Sequence, residues 1–152
     1  MWRRIAKCLL AECLQLECFN IGICLLTARA IAKLNETYLH HLGPTDVITF
    51  NYSETPITWH YLKPCGDGQQ TPVLCGEVFI CVDEAIAQAR RFRISWQSEL
   101  VRYLVHGLLH LNGYDDSSAA ERRRMKRKED HLVREIAERF PLRRLGCKLK
   151  LG

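Results

Sequence analysis

The segment His106-Gly-Leu-Leu-His110-Leu-Asn-Gly-Tyr-Asp115-Asp116 constrains this chain more than any other stretch. A spacing of four residues puts the two imidazoles about 40° apart around a helix axis and one turn apart along it. That bite suits one metal ion, since zinc takes imidazole nitrogen at about 2.0–2.1 Å. Asn112-Gly113 then stops the helix, because Gly accepts the left-handed conformation that a helix C-terminus often needs. The chain can turn back and offer a third ligand from Asp115 or Asp116. Three protein ligands leave a fourth position for water, the arrangement of catalytic zinc sites. The plain alternative is a pair of core histidines bonded to backbone carbonyls. The sharp stop and the acidic pair behind it favour a metal-dependent hydrolase. A peptidase of the H-E-x-x-H type is disfavoured, because its general base stands where this chain has Gly107.

H-G-L-L-H-L-N-G-Y-D-D resembles the H-G-x-L-H-L-x-G-Y-D-H signature of the YbeY-type bacterial rRNA maturation factors, which are metal-dependent endoribonucleases. Other pieces follow in the family's order. Leu34-Asn35 with Tyr38, then Pro44-Thr45-Asp46-Val47-Ile48-Thr49-Phe50, are similar to its L-N-x-x-Y-R and P-T-D-V-L-S-F. Gly76-Glu77-Val78-Phe79-Ile80 looks like its G-D-I-x-I strand, Glu99-Leu100 opens the ligand helix, and Met125 and Glu129 match the closing helix. The resemblance spans roughly residues 27–136 and implies His106, His110 and Asp116 as the metal ligands, with Asp116 where the family has His. Carboxylate oxygen ligates zinc at about 2.0–2.2 Å, so the set is chemically sound. Its extra negative charge makes bound water less acidic and favours harder metals. Leu39 stands where the family has an Arg expected to engage phosphate, and Leu has neither donor nor charge. His40 and His41 follow it, and Glu77 replaces Asp. The chain starts at what should be the family's first helix, so its first strand is expected to be missing.

Length and composition agree with one domain over residues 1–152, 47% apolar and able to bury a core. Apolar runs such as Ile21 to Leu26 fall far short of the ~20 residues that span a bilayer, so no membrane partner is expected. The start Met1-Trp2-Arg3-Arg4 lacks a long apolar core and a cleavage site, which argues for a helix and against a signal peptide. Eight cysteines include no C-x-x-C. They are expected to be reduced, buried thiols of a cytoplasmic protein, with Cys65 and Cys75 the one pair placed to bridge.

Patterning predicts an α+β fold, a small mixed sheet packed with about five helices, the metal site at the end of a central helix. Helices are expected over 2–14, from a Thr27 cap to Leu39, and over 83–91, 96–111 and 118–139; strands over 16–26, 45–51 and 73–82. Ser118-x-x-Glu121 reads as a capping box. Between residues 52 and 74 lies a Pro- and Gly-rich insertion in which 57–61 can form a hairpin arm.

The net charge is +5, and Arg122-Arg123-Arg124-Met125-Lys126-Arg127-Lys128 packs six cations into seven residues. Arg139, Arg143, Arg144, Lys148 and Lys150 extend the basic helix and tail over about 118–152. Cations that neutralise phosphates release counterions, so Arg122, Arg123, Arg124, Lys126, Arg127 and Lys128 are candidate RNA contacts; the plain alternative is a solvated helix face. Trp59 and Tyr61 are candidates to stack on bases. The expected mechanism has one zinc ion lowering the pKa of a bound water for attack on a phosphodiester, in a cleft beside the 45–51 strand. Asp115 is the candidate base or the group orienting a ligand His. Glu99, seven residues before His106, is placed to orient the cluster from below. The resemblance implies single-stranded rRNA or its precursor as substrate, near proteins of the ribosomal small subunit. The main alternative is an rRNA-binding assembly factor that keeps the metal only for structure; an Fe(II) oxygenase is the other reading of a 2-His-1-carboxylate set.

Overall fold

The computed structural model describes residues 1–53 and 74–145. The 57–61 arm with Trp59 and Tyr61, and also Cys65, Cys147, Lys148 and Lys150, lie outside the described residues.

The order of elements is α1 (Trp2–Lys7) running into a π-helical turn (Cys8–Cys13), β1 (Phe19–Leu26), α2 (Ala28–Leu39), β2 (Val47–Asn51), β3 (Leu74–Cys81), α3 (Val82–Phe92), α4 (Trp96–Leu111), α5 (Ala119–Arg139) and a 3-10 turn (Leu142–Arg144). The strands form one mixed sheet in the order β1-β3-β2, with β1 parallel and β2 antiparallel to β3. This is the α+β architecture the patterning predicts.

β3 alternates as a strand covered on both faces must. Val78 and Ile80 join the main core with Ile21, Ile23 and Leu25 of β1, beneath α4. Cys81 packs on the opposite side with Ile31 of α2 and Ile48 of β2. α4 lies very close to the sheet at Gly107, where an added Cβ would sit 2.7 Å from Val78 Cγ1 and 3.1 Å from Thr49 Cγ2. A side chain at 107 would therefore point into the sheet, which gives a packing reason why no H-E-x-x-H base can stand there. Leu100, Leu104, Leu108 and Leu109 are fully buried, and each such side chain contributes about 1.5–3 kcal/mol on burial.

The first helix ends where the sequence reading puts it, because Gln15 takes the left-handed conformation with φ 55°. Two strand starts differ from that reading, each for a local reason. β1 begins at Phe19 rather than residue 16, because its register against β3 starts with Phe19 opposite Leu74. β2 begins at Val47 because the Asp46 carboxylate accepts the Val47 N–H at 2.9 Å, a turn-type contact that competes with the ladder. Cys8, Cys13, Cys24, Cys75 and Cys81 are free, so Cys75 is not bridged to Cys65. Cys18 corrects the expectation of reduced thiols throughout, because it is disulfide-bonded. No helix among the described residues is long and apolar enough to cross a membrane.

Candidate metal centre at the end of α4

The Ser95 hydroxyl caps α4 by accepting the Ser98 N–H at 3.1 Å. From Val101 to Leu111 every residue of this helix is buried except Arg102, His106 and His110. Those three recur every fourth residue and form one stripe. An otherwise apolar helix thus opens to solvent only along the line that carries its imidazoles.

The two rings stand edge to face with centroids 4.7 Å apart, and their Nε2 atoms approach to 3.1 Å. Each Nδ1 already faces an acceptor: His106 Nδ1 is 3.1 Å from Glu129 Oε2, and His110 Nδ1 is 3.1 Å from the Tyr114 carbonyl. If each neutral ring donates through Nδ1, both Nε2 atoms are left as acceptors aimed at one another. Two lone pairs at that distance need a cation or a proton between them. Asp116 Oδ2 lies 3.9 Å from His110 Nε2, and one ligand atom from each of His106, His110 and Asp116 falls within 4.8 Å of the others. Nitrogen and carboxylate donors converging on one point, with their outer nitrogens already engaged, fit a divalent metal ion.

The turn after α4 brings Asp116 into place. Gly113 takes φ +84°; its N–H donates to the His110 carbonyl, and the Tyr114 N–H donates to that of Leu109, each at 3.0 Å. This is a Schellman closure, and it returns the Tyr114 carbonyl to His110 Nδ1. The Asp115 carboxylate accepts the N–H of Asp116 at 2.7 Å and that of Ser117 at 3.1 Å, as well as the Ser117 hydroxyl at 2.7 Å. These bonds hold its carboxyl below the usual range. Asp115 therefore fixes the turn and is not in hydrogen-bond contact with either imidazole.

Glu129 of α5 is the residue on His106. It is 5% exposed, and Arg102 and Lys126 reach its other oxygen at 2.6 and 2.8 Å. Burial opposes its ionisation, but the hydrogen bonds from His106, Lys126 and Arg102 outweigh burial and hold its pKa at about 2. Burial likewise opposes protonation of His106, and the Glu129 carboxylate overrides it, raising that pKa in the metal-free protein. Glu99 lies one step further out, 3.6 Å from Arg102 Nε, and burial raises its pKa despite the guanidinium. Sequence reasoning noted Glu129 only as a family match. The signal of a role was its place on the stripe Met125, Glu129, Leu132, Val133 and Ile136, otherwise the apolar face of α5.

The basic run divides by helix face. Arg122 Nη1 donates to the Asp116 and Ser117 carbonyls at 2.8 and 2.9 Å. Arg124 lies over the Tyr114 ring, 5.3 Å from its centroid, and Lys126 pairs with Glu129 and Asp130. Arg123 and Arg127 are exposed, Lys128 is half-buried, and none of the three forms an ion pair among the described residues. Ser118 and Glu121 make the reciprocal capping box that starts this helix. A pocket of about 300 Å³ opens beside this cluster, lined by His106, Asp116, Arg122, Met125, Lys126 and Glu129. Its far wall is α5; none of these lining residues comes from β2, where the cleft was expected. Leu39 is exposed at the end of α2, beside His40 in the left-handed conformation.

The family model for endoribonuclease YbeY matches residues 1–137. Among curated proteins, endoribonuclease YbeY of Salinibacter ruber is 33% identical over 117 residues, covering 77% of this chain and 70% of that protein. The Chlorobium luteolum protein of the same name is 36% identical over 109 residues, covering 72% and 68%. That of Chlorobaculum tepidum is 34% identical over 138 residues, covering 86% and 89%. The solution structure of a Thermotoga maritima protein, 22% identical, shares the fold with a TM-score of 0.57 over 98% of this chain and 87% of that one. The paired imidazoles of α4, the Gly-ended turn and the relatives agree, and this chain belongs to the endoribonuclease YbeY family.

Proposed function

We propose that this chain is a metal-dependent endoribonuclease that cuts single-stranded RNA in rRNA maturation and ribosome quality control, with zinc as its metal. The observation that carries the reading is the convergence of His106 Nε2, His110 Nε2 and Asp116 at one point beside a pocket edged by Arg122 and Lys126. When bound there, a divalent ion supplies Lewis acidity toward a phosphodiester oxygen and lowers the pKa of a ligated water. The protein's own groups do the rest. Glu129 and the Tyr114 carbonyl hold the two rings in the tautomer that turns Nε2 inward. Arg102 ties Glu99 to Glu129, so Glu99 acts on the cluster as a positioning residue through that guanidinium. Asp115 fixes the turn that presents Asp116, and it is the carboxylate nearest in sequence to that ligand for taking a proton from water. Arg123, Arg127 and Lys128 offer unpaired charge to the phosphates of a passing strand, with salt-dependent affinity. Small-subunit proteins and a cytoplasmic setting belong to the same proposal.

Elemental mass spectrometry of the wild-type protein and of Asp116→Ala, paired with cleavage of a single-stranded rRNA fragment, tests the reading. Near one zinc per chain, lost in the variant together with cleavage, is the expected result. Metal retained in both proteins removes Asp116 from the ligand set. RNA binding without cleavage at full metal content replaces the nuclease by an rRNA-binding assembly factor with a structural metal.

A further inference from the structure

We propose that Arg122 is the residue that grips the phosphate presented to the metal centre, and that the other five cations of the 122–128 run do not share this role. The inference rests on the nuclease reading above and names the side chain that would hold its substrate there. Three observations carry it.

Arg122 is fixed rather than free. Its Nη1 donates to the carbonyls of Asp116 and Ser117 at 2.8 and 2.9 Å, so the guanidinium is tethered to the turn that bears the third ligand. Its Nε and Nη2 have no acceptor among the described residues, and the side chain lines the pocket with His106 and Asp116. A planar guanidinium held through one nitrogen and open along its Nε–Nη2 edge matches two oxygens of a phosphodiester. The neighbouring cations are committed or turned away. Lys126 lines the same pocket, but its ammonium is paired with Glu129 at 2.8 Å and Asp130 at 3.3 Å. Arg124 is laid over Tyr114, and Arg123, Arg127 and Lys128 do not line the pocket.

The test uses zinc-loaded full-length protein with Arg122→Lys, Arg122→Ala and, as the control for general charge, Arg127→Ala. Cleavage of a single-stranded RNA 12-mer is expected to fall about 100-fold in Arg122→Ala at unchanged zinc content, the scale for losing one preorganised donor to developing charge. Methylguanidinium is expected to restore part of that loss, and Arg122→Lys to rescue poorly because ammonium cannot bind two oxygens. Arg127→Ala should change KM a few-fold and leave kcat. Equal losses in Arg122→Ala and Arg127→Ala would overturn the assignment while leaving the nuclease reading intact. If the wild-type protein cuts no RNA, that reading fails by itself, and inorganic phosphate then decides the grip. Titrated into the zinc-loaded protein, phosphate should shift the Arg Nε–Hε NMR signal that disappears in Arg122→Lys. A signal that stays put refutes the proposal.

Discussion

α4 and α5 wall the same pocket, yet they are inverted versions of one another. From Val101 onward α4 is buried on every side but the Arg102–His106–His110 stripe, whereas α5 is charged nearly all round and buries only Met125, Glu129, Leu132, Val133 and Ile136. One helix delivers chemistry through its only open line, the other through its hidden one. Each also buries a carboxylate, with opposite consequences. Glu99 has Arg102 at 3.6 Å as its one ion-pair partner among the described residues, and burial raises its pKa. Glu129 meets Arg102, Lys126 and His106 at 2.6–3.1 Å, and its pKa falls to about 2. Burial alone does not set a carboxylate's role; the number and closeness of its donors do.

The sharpest break in this comparison is His110→Ala, which removes a proposed metal ligand from the open stripe at a half-buried position. Zinc is expected to fall from near one per chain to near none, and RNA cleavage to background; retention of both would deny the stripe its function. Glu129→Ala strikes the hidden stripe instead. It strips His106 Nδ1 of its carboxylate partner while Arg102 keeps Asp130 at 2.6 Å, and leaving one partly buried donor unsatisfied costs about 1–3 kcal/mol. Loss of the carboxylate that orients His106 should also weaken metal binding about 10–100-fold. Urea denaturation and a competitive zinc titration measure the two effects, and a wild-type value in both would make Glu129 a bystander. Gly107→Ala probes how tightly α4 lies on the sheet. With Val78 Cγ1 2.7 Å from the new Cβ, overpacking should cost about 1–3 kcal/mol, read as a lower urea midpoint at constant m-value.

The smallest effect has the opposite sign. A carboxyl whose pKa is raised by folding binds more protons in the native state, so stability declines as pH rises through the interval between its unfolded and folded values. Glu99→Gln removes that burden, and Arg102 keeps Glu129 and Asp130 at 2.6 Å. The variant should be slightly more stable than wild type at neutral pH, the advantage vanishing as pH falls below the ordinary carboxylate range. A variant less stable than wild type at neutral pH would show that Glu99 supports Arg102 more than burial penalises it.

Legibility followed the same contrast. His106 and His110 were readable because a polar residue on an apolar helix stands out, and Asn112-Gly113 was readable because a positive φ favours glycine. Glu129 was not, since a carboxylate in a helix crowded with Arg, Lys and Glu looks like one more solvated charge until its burial is known. The six cations read as one track for the same reason, although tertiary contacts commit three of them to the turn, to Tyr114 and to Glu129. The first strand was read too long, because strand propensity marks residues able to pair and not where a partner begins.

Local chemistry therefore determined the elements, the helix stop and the histidine pair, all of which depend on residues within a turn or two of one another. Only the tertiary structure decided that α5 rather than β2 walls the pocket, that Glu129 holds His106, and that Arg122 is tied to the turn bearing Asp116. Glu129 is 23 residues beyond His106 and is brought to it when α5 packs back on α4. A contact made that way depends on how two helices dock, and no short-range pattern records it.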